Sequence, residues 1–306
     1  MHFCTLCRYR DEPDLSDLSG NAGGRGFRKR CFLTQDNKTT VFTGPIWLPF
    51  FLQPRALIPL TPLDITFSLS KPSFAIRSKS PHTNYRFNFR KFVLRVPRMK
   101  VAPTVASRIE AHLANNVAKY PIRQTSTRLF TIPPGLKKWD IEPFGTNTPL
   151  PQIALVALVA TSSVQGVQRQ SPFYFNNFLL TDISMNLEGT TFPTPDGFSN
   201  LSWSGEAPNF MLPYFALFDY NTKEDFGNGI QLQEFQQCYS IFKFSLGNFL
   251  TASHDHVEPS KLGNCRLSLT FAAESRNPSL TIVVFTERNN VIGIDGQRQV
   301  SRDFVL

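Results

Sequence analysis

Two clusters in this 306-residue chain carry side chains of the kind that do chemistry. Cys4 and Cys7 form a C-x-x-C pair, with His2 and Cys31 as further donors. A structural zinc site takes four such ligands, usually as two tight pairs, and here the third cysteine stands alone. His254-Asp255-His256 puts two imidazoles on one side of an extended backbone, with Glu258 close by. That set suits metal binding or acid–base work. No nucleophile or further carboxylate cluster converges on it, and it leads into Pro259-Ser260-Lys261, so it reads as a solvated surface loop. Phosphate-loop, G-x-S-x-G and H-E-x-x-H patterns are all missing. An enzyme is not expected, and no catalytic, cofactor or metal residue is assigned.

A third cluster is cationic. Arg77, Lys79, Arg86, Arg90, Lys91, Arg95, Arg98 and Lys100 follow one another with no acidic residue between, and Tyr85, Phe87, Phe89 and Phe92 are interleaved. Cations grip a phosphate backbone and aromatic rings stack on bases, so sequence-independent DNA contact through segment 77–100 is one reading. Strand alternation is the other, with the aromatics in a core and the charges in solvent.

The elements that must position these groups centre on Phe92–Gly135. It reads as strand, helix, strand. Phe92, Leu94 and Val96 alternate with Val93 and Arg95 until Pro97 stops the ladder. Pro103 opens a helix, because its missing N–H is an orphan in the first turn anyway. Val105, Ile109, Leu113 and Val117 stripe that helix, predicted over Thr104–Lys119, until Pro121 ends it. Other strands are predicted at Thr127–Ile132, Ile153–Thr161, Asn177–Leu187, Met211–Phe218, Tyr239–Leu246, Arg266–Ala273 and Leu280–Glu287, the first strand being Arg86–Val96. Ile153–Ala160 is apolar on both faces, as in a central strand. Glu188-Gly189 and Arg288-Asn289-Asn290 read as turns. Upstream, Leu63, Ile65, Phe67 and Leu69 alternate cleanly, but the region supplies no partners of its own.

Composition agrees. Twenty-nine Phe and 23 Pro suit pleated half-buried surfaces and strand ends rather than helices. Eight strands with long loops predict an all-β jelly-roll sandwich with one short helix after the first strand. Five scattered cysteines fit a reduced chain, and the +9 charge permits polyanion contact. No signal peptide or membrane span is read, so a soluble chain or assembly is expected. Residues 1–39 form a poorly defined N-terminal segment, 40–85 a set of strands and a linker, and 86–306 the jelly roll.

Four blocks in order resemble the capsid proteins of Polinton (Maverick) transposons and adintoviruses. They are Pro54–Ile76; Val101-Ala-Pro-Thr-Val105 through Lys119-Tyr-Pro-Ile122 to Phe130-Thr-Ile-Pro133; Pro172-Phe-Tyr-Phe-Asn-Asn177 to Glu188-Gly189; and Gly263-Asn-Cys-Arg-Leu267, Thr281–Glu287, Asn290–Asp295 and Asp303-Phe304. The resemblance implies a structural virion protein, most of all a major capsid protein. Such subunits are double jelly rolls that associate as homotrimeric capsomers with other capsid subunits. They belong to the virion and pass through cytoplasm or nucleus before assembly. It also implies a further upstream region supplying most of the first jelly roll, of which Thr40–Ile76 would be the last strands, so the chain reads as N-terminally truncated. The rival readings are a lectin- or cupin-like ligand-binding module and a basic nucleic-acid-binding β protein.

Overall fold

The computed structural model describes residues 32–33, 39–41, 43–46, 48–52, 55–76, 86, 88–146, 148–167, 170–217, 230–247, 262–272 and 279–302. Its centre is a pair of antiparallel sheets. One runs β1 (Ala118–Ile132), β10 (Leu280–Ile294), β4 (Ile153–Ala160) and β7 (Ile241–Ser245), with β11 (Val300–Arg302) added to β10. The other runs β2 (Lys138–Ile141), β9 (Cys265–Phe271), β5 (Leu180–Leu187) and β6 (Thr190–Phe192). A short bridge pairs β3 (Thr148–Pro149) with β8 (Leu262–Gly263). Followed in chain order, β1, β4, β7 and β10 fall in the first sheet, and β2, β5, β6 and β9 in the second. That is jelly-roll connectivity, and the fold is an all-β jelly roll that does not close into a barrel.

The sandwich forms because its strands alternate. In β9, Leu267, Leu269 and Phe271 are buried while Arg266, Ser268 and Thr270 turn outward. Facing them across the core lie Val156 and Leu158 of β4 and Phe242 and Phe244 of β7, all 0% exposed. Phenylalanine supplies the bulk: Phe198 meets Phe244 at 5.5 Å and Phe242 at 6.1 Å, centroid to centroid. Trp203 stacks on Phe210 and donates its indole N–H to the Leu180 carbonyl at 2.7 Å. β4 is central, as expected, and even Ala157 and Val159 on its outer face are buried. Glu188 and Gly189 both take positive φ (49° and 89°) and close the β5–β6 hairpin, as their turn signal requires.

Several predicted elements come out differently. Residues 88–102 lie in no ladder, so the predicted strand Arg86–Val96 does not form among the described residues. Leu63–Leu69 likewise forms no strand. Alternation alone cannot make a strand where no neighbour offers N–H and C=O groups. The helix therefore precedes the first strand. It spans Pro103–Leu113, shorter than predicted, and only Leu113 of its apolar stripe is buried. Chain direction reverses by Asn116, and β1 starts at Ala118, passing through Pro121. That proline is tolerated because β1 is an edge strand, bonded to β10 alone. β10 continues through Arg288-Asn289-Asn290, where a turn was expected, because β1 pairs with it along all 15 residues. Met211–Phe215 is a short helix rather than a strand, consistent with Pro213, which cannot donate to a ladder.

Candidate assembly surface

The two metal-like clusters, His2/Cys4/Cys7/Cys31 and His254/Asp255/His256/Glu258, lie outside the described residues, as do Arg77, Lys79, Tyr85 and Phe87. Among the described residues no three His, Cys, Asp or Glu side chains come together in a way that could hold a metal ion. Cys238 and Cys265 are buried free thiols, each pushed up to about 12. Burial is the main cause at both, with the Glu234 charge adding to it at Cys238. Both are held protonated at neutral pH and are poor nucleophiles. No helix among the described residues is long and apolar enough to cross a membrane.

The candidate functional feature is a surface, built from the residues ahead of the jelly roll. Residues 49–52 and 55–60 dock on the ribbon formed by β1 and β10. Tyr120, 2% exposed, receives the Ile58 N–H at 3.0 Å and donates to the Ala56 carbonyl at 3.2 Å. Phe50 packs its ring 6.4 Å from that of Tyr120. Arg298 bonds the Pro59 carbonyl at 2.9 Å and also pairs with Glu110 of the helix. The helix end sits tightly on the loop after β10: a Cβ on Gly296 would come 2.7 Å from the Leu113 carbonyl. Residues 72–75 dock elsewhere, Phe74 lying 6.0 Å from Phe173.

Residues 61–71 and 88–102 form no ladder, and touch through Phe67 and Phe92, whose ring centres lie 4.6 Å apart. Large apolar side chains face outward there: Leu69 is 64% exposed, Phe92 63%, Val93 59%, Val96 58% and Met99 74%. Phe89 and Phe92 are thus surface residues, which corrects the reading that placed the aromatics in a core. Arg90, Lys91, Arg95, Arg98 and Lys100 are exposed among them, and the sequence holds no acid between Asp64 and Glu110. Exposed apolar side chains and cations thus share these two stretches, the composition of a candidate interaction surface. Sequence reasoning found the cations and rings of this segment. It missed the exposure of the apolar residues, for which alternation gives no signal.

No protein-family model matches the chain. It is 24% identical over 298 residues to the uncharacterized protein F54H12.2 of Caenorhabditis elegans, which covers 95% of this chain and 68% of that protein. Similar solved structures include the PBCV-1 virus capsid (TM-score 0.38, 10% identity, 67% of this chain and 55% of that chain). The mavirus major capsid protein gives a TM-score of 0.34 at 12% identity, covering 62% of this chain and 42% of that one. The Sputnik virophage structure gives 0.39 at 12% identity, covering 61% and 39%. The chain thus spans about half, or less, of the length of these capsid chains.

Proposed function

We propose that this chain is a structural, non-enzymatic capsid subunit that assembles into homotrimeric capsomers. The observation that carries the reading is the outward-facing apolar and basic surface of residues 61–71 and 88–102, attached to the jelly roll. The jelly roll is the block, and the exposed segments bury their apolar side chains against neighbouring subunits. The sequence likeness to Polinton and adintovirus capsid proteins supports the same reading, including a role as the C-terminal half of a double jelly roll. Domain limits near 86 belong to that proposal. The cations Arg90 to Lys100 lie on the same surface and face packaged DNA or an acidic partner surface, without sequence selection. In this reading the protein resides in the virion.

The nucleic-acid-binding alternative rests on those same cations, and predicts DNA retention that falls steeply with salt. A lectin- or cupin-like module gains no support, since aromatic side chains fill the sandwich interior. Light-scattering mass of the purified chain tests the proposal. A discrete trimer is expected; a monomer at every accessible concentration would overturn it.

A further inference from the structure

The inner face of the β1–β10 ribbon changes character partway along. Val284 of β10 is fully buried in the sandwich core, and the next residues on its face are Thr286, Arg288 and Asn290. Arg128 and Arg288 lie on that face of the two strands, opposite Val284 and Gln124 respectively and four positions apart along the ribbon, so only their long side chains can converge. The neutral groups around them satisfy one another: Ser126 bonds Thr286 at 2.8 Å, and Asn290 donates to Gln124 at 3.1 Å. Arg128 donates one bond to the Pro143 carbonyl at 2.9 Å.

Arg288 is different. Its guanidinium lies 5.8 Å from the centre of the Phe144 ring, and its Nε–H is buried with no acceptor among the described residues. Its chain neighbour Glu287 is on the opposite face, 3.9 Å from Arg123. Burial, and after it the charge of Arg128, hold the Arg288 pKa below its ordinary value. Two like charges, one of them beside a buried aromatic ring and with an idle donor, make an unfavourable pair unless an anion joins them. Arginine's planar fork matches an oxyanion, and the ring contact fixes the fork's orientation.

We propose that Arg128 and Arg288 form a binding site for a phosphate-type oxyanion at the end of the sandwich. Arg288 supplies the oriented, partly buried fork, and exposed Arg128 supplies the second charge at the entrance. The oxyanion comes either as free phosphate or as a backbone phosphate of nucleic acid.

Calorimetric titration of the full chain with sodium phosphate, against sodium chloride at matched ionic strength, tests this. Saturable one-to-one binding is expected, weakened about tenfold or more in R288M and in R128Q, because each loses one charged partner. R128Q keeps the test valid if R288M fails to fold, since Arg128 is solvent-exposed. Displacement of phosphate by a short DNA duplex would support a backbone phosphate as the natural occupant, and binding unaffected by DNA would support the free ion. Heat indistinguishable from chloride, or equal phosphate affinity in wild type and both variants, would overturn the site.

Discussion

The Tyr120 hydroxyl clasps the backbone of residues 56–58, receiving the Ile58 N–H at 3.0 Å and donating to the Ala56 carbonyl at 3.2 Å. It ties the segment ahead of the jelly roll to the first strand. Removing the oxygen strands a donor and an acceptor around a side chain that is 2% exposed. Y120F is therefore expected to cost about 1–3 kcal/mol, read by urea unfolding. Limited proteolysis of the same variant should cut within 49–60 sooner than in wild type. Unchanged stability and cleavage would mean that this clasp does not hold the segment.

Charge placed on the exposed apolar stretch should separate folding from assembly. Val93 and Val96 are more than half exposed, so V93D/V96D is expected to shift unfolding by only about 0.5 kcal/mol per site. The same variant should abolish self-association, because a carboxylate buried at an apolar contact pays its desolvation without a partner. Equal mass for variant and wild type by light scattering would remove these residues from the interface.

Gly166 takes φ +98°, and a Cβ there would lie 2.6 Å from the Ser73 hydroxyl oxygen. G166A is expected to destabilise by about 1–2 kcal/mol through left-handed strain, with crowding added. S73G should recover the crowding part but not the strain. Additivity of the two changes in a double-mutant cycle would show that residues 72–75 do not pack there.

The buried thiols give a pH dependence. Both have an ordinary value of 9.0 and a folded value of about 12. Protonated thiol is favoured in the folded chain, so their contribution to stability is full below about pH 9 and is lost as pH rises toward 12. Unfolding free energy should fall over that window, and Cys238→Ala with Cys265→Ala should flatten the fall. At pH 8, alkylation of these two residues should require unfolding, as peptide mass spectrometry would show.

Much of the sandwich could be read from period-two alternation. Ile153–Ala160 showed its central place through apolar residues on both faces, and Glu188-Gly189 marked its hairpin. Long-range pairing hid the rest. Pro121 looked like a stop because nothing local says that β1 is an edge strand. Arg288-Asn289-Asn290 looked like a turn because its partner, Gln124, is 164 positions away in a register that only the fold supplies. The same blindness operates in reverse at Phe92–Val96, where a strand-like apolar run finds no ladder partner. The cations and rings of the candidate surface were legible; the outward apolar side chains were not, since exposure depends on what the rest of the chain covers.

Hydrogen exchange of residues 88–102, measured in dilute and in concentrated samples, tests the central claim most directly. These amides have no ladder partners in the isolated chain, so they should exchange without protection when dilute. Concentration into the assembled form should protect them strongly while β4 and β10 stay unchanged. Assembly without protection here, or no assembly at all, would contradict the account.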